Sequence, residues 1–195
     1  MTPERRKKIE RALDHRQPDL AVVIDNVWDP HNVGAILRTC DAFGVLDVHL
    51  FYSQHPMPKM QELKGKSAAS AAKWLRITKW TSAKKLIAHL KKQKMAIVTT
   101  DLAAKAHAPK DLAFAKPTAL VLGNERDGVS PELSKAATAN VQIPMVGFVG
   151  SFNVSVAAAL LLYEAFRQRE AAGMIGTPQL GKRERAALLK KWMAL

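Results

Sequence analysis

The sequence contains little that would allow covalent cross-linking or metal binding. Among 195 residues there is one cysteine, Cys40, so an internal disulfide is excluded and a reducing compartment such as the cytoplasm is expected. The six histidines are scattered, and no Cys/His cluster has the spacing of a zinc site. We therefore expect a cytoplasmic protein that holds no metal ion.

Long hydrophobic runs and common ligand-binding motifs are also absent. No apolar segment reaches the roughly 20 residues of a membrane-spanning helix, and the residues after Met1 lack the apolar core of a signal peptide. The GxGxxG motif, the GxxxxGK[ST] phosphate loop and the GxSxG nucleophile elbow are all missing. We expect no membrane association, and a nucleotide-like ligand would have to be held in another way.

Acidic residues are few relative to basic ones. The chain has 17 Asp and Glu against 30 Lys and Arg, a formal net charge of +13. Such a balance is typical of proteins that bind a polyanion, most often nucleic acid, with an acidic membrane surface as the alternative. Trp74 and Trp80 lie in a stretch from Leu63 to Thr100 that has no Asp or Glu. Its ten basic residues are Lys64, Lys66, Lys73, Arg76, Lys79, Lys84, Lys85, Lys91, Lys92 and Lys94. Solvated charge would explain part of this stretch, but the lack of acids favours a polyanion-binding surface.

Predicted strands alternate with predicted helices along the chain. Short runs rich in Val, Ile and Leu predict strands at residues 20–25, 47–51, 75–79, 95–99 and 118–123, and the apolar run at 140–144 predicts a further strand. Caps, prolines and apolar spacing predict helices at residues 2–16, 29–43, 82–93 and 182–194, one beginning at Ser130 and one after residue 150. This pattern predicts an α/β fold with a mainly parallel sheet and helices on both faces.

The segment from Asn140 to Tyr163 combines a glycine-containing loop with an unusually apolar helix. Gly147 and Gly150 precede a polar first turn, and every residue from Val156 to Tyr163 is Ala, Val, Leu or Tyr. Such a helix is expected to be buried on every side. Ser and Asn in its first turn would cap it, while backbone N–H groups there could hold a ligand.

Polar residues stand where several predicted strands end. In a parallel α/β sheet, ligands bind beyond the carboxyl ends of the strands. We therefore expect four segments to converge on one site: Asp25–Asn26, Thr99–Thr100, Gly123–Glu125 and the loop from Pro144 to Asn153.

Three motifs in this frame resemble those of one enzyme family. The segment Asn32 to Thr39, followed by Phe43-Gly44, is similar to the first motif of the SpoU/TrmH family of the SPOUT superfamily. The segment Leu122 to Ser130 resembles the second motif. Ile143-Pro-Met together with Ser151 to Ala159 resembles the third. The three motifs occur in order at family spacing and span most of residues 20 to 170.

The resemblance implies a fold and an activity that composition alone does not give. Members are RNA ribose 2′-O-methyltransferases with a C-terminal trefoil knot, a rare exception to un-knotted connections. They are homodimers that use S-adenosylmethionine. The short basic extensions at both ends are similar to those of family members that act on tRNA, and this resemblance implies a tRNA substrate, most specifically guanosine 18 of the D-loop. Ribosomal RNA is the alternative substrate, and a non-catalytic RNA-binding protein on the same fold is a third possibility. The cofactor-binding positions implied are Thr100, Leu122, Gly123, Ile143, Ser151 and Phe152.

Arg38 corresponds to the arginine that the family assigns to activation of the ribose hydroxyl. Because a guanidinium stays protonated in proteins, we interpret Arg38 as a phosphate clamp and as an electrostatic stabiliser of the developing oxyanion. The alternative is an ion pair with Asp41, three residues later on the same predicted helix.

Four further polar residues have catalytic roles under the same resemblance. Asn32 and Glu125 would orient that arginine or the ribose. Ser151 and Asn153 would contact the cofactor, or RNA across the dimer. The simpler alternatives are a polar first-turn position for Asn32, an ion pair between Glu125 and Arg126, and helix capping for Ser151 and Asn153.

The two ends of the chain are predicted to form basic extensions around one catalytic domain. The expected division is residues 1–17, 18–172 and 173–195. The residues expected to contact RNA are Arg5, Arg6, Lys7, Arg11, Lys182, Arg183, Lys190 and Lys191. For the N-terminal residues, a solvated helix face is the alternative explanation.

Overall fold

A computed structural model describes residues 2–58, 71–101 and 105–195, and these residues contain six parallel strands and six α-helices. The strands are β1 (Gln17–Asp25), β2 (Val45–Phe51), β3 (Arg76–Trp80), β4 (Ala96–Thr99), β5 (Thr118–Leu122) and β6 (Ala139–Asn140). The helices are α1 (Pro3–Asp14), α2 (Pro30–Ala42), α3 (Ala83–Lys92), α4 (Pro131–Ala136), α5 (Val154–Ala171) and α6 (Lys182–Met193). Lys64 and Lys66 of the basic stretch lie outside the described residues.

The strand order is β3-β2-β1-β5-β4-β6, and every neighbouring pair is parallel. The register places Ile24 beside Leu50 on one side and beside Leu122 on the other. The carboxyl ends of the three central strands therefore lie at one level. The segments that follow them can reach a common site, as the alternation of elements predicted.

Helices cover both faces of the sheet because alternate strand residues point to opposite sides. Val22 and Ile24 belong to a buried cluster with residues of α2 and α5. Ala21 and Val23 belong to a second cluster with residues of α3 and α4. The predicted α/β architecture with helices on both faces is confirmed.

Two predictions about the segment from Asn140 to Tyr163 are corrected. The apolar run at 140–144 is not a strand, because pairing stops after Asn140 apart from one bridge between His107 and Val141. Helix α5 is not buried on every side, since the exposed fractions of Val156, Leu160 and Tyr163 are 44%, 42% and 57%. One face packs on α2, and no described element of this chain covers the other face.

The two terminal helices pack together instead of projecting separately into solvent. Ile9 and Leu13 of α1 and Trp192 of α6 form a third buried cluster with Leu46 of β2. Arg16, which follows α1, is buried and donates a hydrogen bond to the Val45 carbonyl at 2.9 Å. Deletion of either end would therefore remove part of a core as well as positive charge.

Within the described residues, no helix has the length and apolar character needed to cross a bilayer. The same residues contain no group of three or more His, Cys, Asp and Glu side chains suited to holding a metal ion.

Candidate active site

A cavity of about 300 Å³ lies at the carboxyl ends of the strands β4 and β5. Three of the four predicted segments line it, through Thr100, through Gly123 to Glu125 and through the loop that precedes α5. The other lining residues are Asp101, Arg126, Asp127, Gly128, Val141, Gln142, Ile143, Met145, Ser151, Phe152, Val154, Ala157 and Leu161. The predicted convergence is confirmed for these segments.

The fourth segment, Asp25–Asn26, lies beneath the cavity and supports its loops. Asp25 accepts a hydrogen bond from the backbone N–H of Ser130 at 2.7 Å, and the Asn26 carbonyl accepts one from the Asn124 side chain at 2.7 Å. Burial raises the pKa of the Asp25 carboxyl, although the hydrogen bonds from Ser130 and Asn26 oppose that shift. Asp25 and Asn26 do not line the cavity, because their polar groups hold the segment from Asn124 to Ser130 in place.

A tight turn between Gly123 and Gly128 forms one wall. Asn124 and Gly128 exchange backbone hydrogen bonds of 2.8 and 2.9 Å, and the Asn124 side chain accepts from the Arg126 N–H at 2.8 Å. A Cβ on Gly123 would lie 2.5 Å from the carbonyl carbon of Gly128. Only glycine fits at position 123, and its lack of a side chain leaves the backbone next to the cavity.

Thr100 connects this wall to the neighbouring strand. Its hydroxyl donates to the Val121 carbonyl at 3.1 Å and accepts from the Gly123 N–H at 3.4 Å. Leu122, also predicted to bind the cofactor, is completely buried in the core and does not line the cavity, so only its backbone is available for that role.

The opposite wall is mainly apolar. Ile143, Val154, Ala157 and Leu161 line it, and Phe152 at the rim is 38% exposed. Ser151 lies at the same rim and is exposed. A cavity with one wall of polar backbone and one apolar wall fits a ligand that has both a flat apolar ring and polar groups.

Three catalytic candidates from three separate motifs are joined by hydrogen bonds at the cavity rim. Asn32 donates to the Glu125 carboxylate, and Asn153 donates to the Asn32 side-chain oxygen at 3.1 Å. Asn153 also caps α5, since its side-chain oxygen accepts from the N–H of Ser155 at 2.9 Å and from its hydroxyl at 2.6 Å. Because Ser155 saturates that oxygen, the Asn153 amide group is directed toward Asn32.

The side chain of Arg38 is exposed on α2 and makes no hydrogen bond or ion pair with any described residue. The alternative ion pair between Arg38 and Asp41 is wrong, because Asp41 pairs with Arg16. Glu125 bonds to Asn32 and forms no ion pair with Arg126 in the part of the chain that the structure describes. Capping proves true of Asn153, in addition to its contact with Asn32.

The comparison with known families decides what this site belongs to. The model of the SpoU rRNA Methylase family matches residues 19–163 of the chain. The chain belongs to the SpoU family.

Individual SpoU relatives match almost the whole chain. A tRNA (guanosine(18)-2'-O)-methyltransferase of Aquifex aeolicus is 41% identical over 189 residues, covering 97% of this chain and 88% of the relative. The crystal structure of the A. aeolicus TrmH/SpoU tRNA modifying enzyme superposes with a TM-score of 0.90 at 39% identity, covering 98% of this chain and 95% of that one. The SpoU methyltransferase AviRb from Streptomyces viridochromogenes, solved in complex with AdoMet, has a TM-score of 0.68 at 27% identity, covering 80% and 62%. These matches confirm the resemblance carried by the three motifs and the α/β fold class predicted from the alternation of strands and helices.

The predicted RNA-contacting residues all lie on the exposed surfaces of α1 and α6. They do not line the cavity at the carboxyl ends of β4 and β5. Among them Arg6 is engaged with Glu10 on its own helix, at 2.9 Å.

Sequence reasoning did not identify Asp101 as a residue that lines the cavity. Asp101 accepts a hydrogen bond from the Ser134 hydroxyl at 2.9 Å, and its backbone is held on both sides by the Asn140 side chain, at 2.8 and 2.6 Å. Its position directly after the strand-end threonine was a usable signal. Met145 and Ala157 lie within the third motif, whereas Gln142 and Leu161 had no such signal, because they enter the cavity wall only through the fold.

Proposed function

We propose that this protein transfers a methyl group from S-adenosylmethionine to the ribose 2′-hydroxyl of a tRNA guanosine, guanosine 18 of the D-loop. The observation that carries the proposal is the hydrogen-bonded chain of Glu125, Asn32 and Asn153, which joins the three family motifs at the mouth of the cavity. The Aquifex relative, 41% identical, supports the substrate through its name.

The cofactor fits the amphipathic cavity. Gly123 and Thr100 present backbone and hydroxyl groups, Ile143 and Phe152 present apolar surface, and Ser151 stands at the rim. The AdoMet complex of AviRb supports this assignment. S-adenosylmethionine supplies an electrophilic methyl group on a sulfonium. The sulfur leaves as a neutral thioether, so no acid is needed to protonate the leaving group.

The protein's own residues align the ribose and stabilise charge. Arg38 is positively charged and has no hydrogen-bond or ion-pair partner among the described residues, so it holds an RNA phosphate and stabilises the oxyanion that develops on the ribose oxygen. Asn32 and Glu125 are fixed to each other and set the position of the ribose. Positioning of this kind is the main contribution that a transfer with a good leaving group requires.

The exposed apolar face of α5 supports a homodimer. Val156, Leu160 and Tyr163 recur at helical spacing, and each is more than 40% exposed. The neighbouring loop carries Phe148 and Val146 fully exposed. An exposed apolar surface of this kind marks an interface, and a second copy of the chain is the partner that we propose for it. The C-terminal trefoil knot stays a prediction from the family.

The basic helices α1 and α6 flank the catalytic domain of residues 18–172 and add affinity for tRNA. The eight predicted RNA-contacting residues are exposed, as phosphate contacts require. A protein that acts on tRNA and has a single buried thiol fits the cytoplasm.

Replacement of Arg38 by alanine tests the catalytic assignment. Because Arg38 has no described internal partner, Arg38→Ala should fold normally, retain cofactor binding by calorimetry and lose at least about 100-fold in turnover. Arg38→Lys keeps the charge without the planar fork and should recover part of the rate. Undiminished methyl transfer from tritiated cofactor by Arg38→Ala would refute the role.

Mapping of the modified nucleotide separates the alternatives. Incubation with total RNA followed by nucleotide-resolution mapping should place the methyl group on tRNA guanosine 18. Modification of ribosomal RNA would favour the ribosomal alternative. If calorimetry with the wild-type protein detected no cofactor binding, a non-catalytic RNA-binding role would replace the enzymatic one.

A further inference from the structure

A second cavity, of about 460 Å³, lies between α1, α6 and the residues that precede β3. We call it the basal cleft and define it by Arg5, Lys8, Arg16, Lys73, Trp74 and Trp192. Its volume is within the range of about 300 to 1,000 Å³ that is common for ligand sites. None of the cofactor-cavity residues lines it.

The basal cleft stands at the opposite end of the sheet from the cofactor cavity. Arg16 bonds to the carbonyl of Val45, the first residue of β2. The cofactor cavity lies beyond the last residues of parallel strands in the same sheet. The seven residues of β2 correspond to about 20 Å. A ligand in the basal cleft is therefore not the nucleotide that is methylated.

The charge in the basal cleft is almost all positive. Asp41 is the one carboxylate among its lining residues, and it is paired with Arg16. Arg5, Lys8 and Lys73 form no ion pair with a carboxylate of residues 2–58, 71–101 or 105–195. Unpaired cations gathered in one concavity attract an anion, and a phosphodiester would satisfy them.

Aromatic rings form the floor. Trp74 and Trp192 pack edge to face with ring centres 5.4 Å apart, and Trp74 is half-buried. Lys73 Nζ lies 4.8 Å from the centre of the Trp74 ring, and the Arg16 guanidinium lies 5.1 Å from that of Trp192. Arg16 is 3% exposed, and its Nε atom has no hydrogen-bond partner among the described residues. A purely structural seam would not require cations on its rim and an unsatisfied donor in its wall.

We propose that the basal cleft binds a nucleotide of the RNA substrate remote from the methylated one, with its phosphate near Arg5, Lys8 and Lys73 and its base on Trp74. Cationic grooves with an aromatic platform hold single nucleotides by charge and stacking together. This inference rests on the RNA substrate of the proposed function and assigns it a second contact point.

The test compares cleft variants with a charge-matched control on an unmodified tRNA transcript. Lys73→Ala should raise Kd several-fold and lower the slope of log Kd against log salt by about one. Trp74→Leu should raise Kd about tenfold, with Trp74→Phe in between, because a phenyl ring still stacks. Lys110→Ala removes an exposed charge outside the cleft and should leave Kd near the wild-type value. In methylation assays the cleft variants should raise KM for tRNA and leave kcat unchanged, since the cofactor cavity is untouched.

Each outcome decides between distinct conclusions. Cleft variants that bind tRNA like Lys110→Ala, with wild-type melting temperatures, would overturn the proposal. If Trp74→Leu lowers the melting temperature, the proposal is judged from the Kd of Lys73→Ala alone. A wild-type protein that binds tRNA but does not methylate it would refute the proposed function. The comparison of Kd values would still show whether the basal cleft contacts tRNA.

Discussion

At the scale of single residues, Gly123 is a position in the cavity wall where the neighbouring backbone permits only glycine. A methyl group there would lie within 2.6 Å of three backbone atoms of Gly128 and Val129. Backbone of this kind cannot move aside like the end of a flexible side chain. The conformation of the turn, and the shape of the cavity wall that it forms, depend on this missing side chain.

Gly123→Ala should therefore lower both stability and cofactor affinity. We expect a loss of about 1–3 kcal/mol in the free energy of unfolding, typical of overpacking, and at least a tenfold weaker binding of S-adenosylmethionine by calorimetry. Gly181→Ala is the control, because a Cβ at position 181 would have no atom within 4 Å and the φ of Gly181 is −60°. Equal cofactor affinity in the two variants would show that the turn is not part of the binding wall.

At the scale of elements, the packing of α3 on β2 and β3 isolates a histidine. His49 is 2% exposed, and its Nδ1 accepts a hydrogen bond from the Trp80 indole at 3.1 Å. The proton of the neutral ring is then on Nε2, which has no partner within the described part of the chain. Burial lowers the pKa of His49 to about 4, and the nearby His89 and Arg76 act in the same direction, although Asp47 opposes them.

The buried His49 should make the protein less stable in mild acid. The unfolded chain takes up a proton on His49 near pH 6.5, whereas the folded chain does so only near pH 4, so stability falls as the pH decreases between these values. The expected loss from this residue between pH 7 and pH 5 is about 2 kcal/mol. In urea unfolding, His49→Asn should reduce the pH dependence by that amount, whereas the exposed His107→Asn should not. The same pH dependence in His49→Asn and wild type would contradict the assignment.

The starts of the helices show how much of the fold can be predicted from the sequence. Helices α1, α2 and α3 begin where Thr2, Asp29 and Ser82 predict, because each of these side chains accepts a backbone N–H of the first turn. Ser130 also precedes a helix, but its hydroxyl does not cap it, since the Ser130 backbone is held by Asp25 instead. Local patterns predict elements well, while contacts between distant residues depend on the whole fold.

Helix α5 is the clearest case of that limit. Its residues 156–163 are apolar all round, which predicts burial on every side, yet Leu161 is buried and Leu160 is 42% exposed. Residues that pack in a core and residues that face another subunit have the same chemistry, so composition cannot separate them. The three motifs, in contrast, pointed to Asn32, Glu125 and Asn153, and hydrogen bonds join these three side chains in the structure.

At the scale of the whole molecule, the exposed face of α5 should control assembly. Leu160→Asp places a charge in the proposed subunit interface, so light scattering should show a dimer for the wild type and a monomer for the variant at micromolar concentration. Leu195→Asp, at an exposed apolar residue elsewhere (48% exposed), should remain dimeric. A monomeric wild-type protein would refute the dimer, and a dimeric Leu160→Asp would locate the interface on another surface.

The terminal helices change how the two ends of the chain should be studied. Leu13 and Trp192 share one buried cluster with Leu46 of the central sheet. Removing residues 1–16 or 182–195 would open that cluster, so weaker RNA binding by a truncated protein would not report on charge alone. Substitution of exposed basic residues on α1 and α6 is the informative experiment.

The enclosed position of Cys40 has a practical consequence. Burial raises the pKa of its thiol far above the ordinary range, so the sulfur stays protonated and out of reach of alkylating reagents. The folded protein thus needs no cysteine-free background for site-specific labelling. A cysteine introduced on the surface would be the single reactive handle, ready to carry a fluorophore or a spin label.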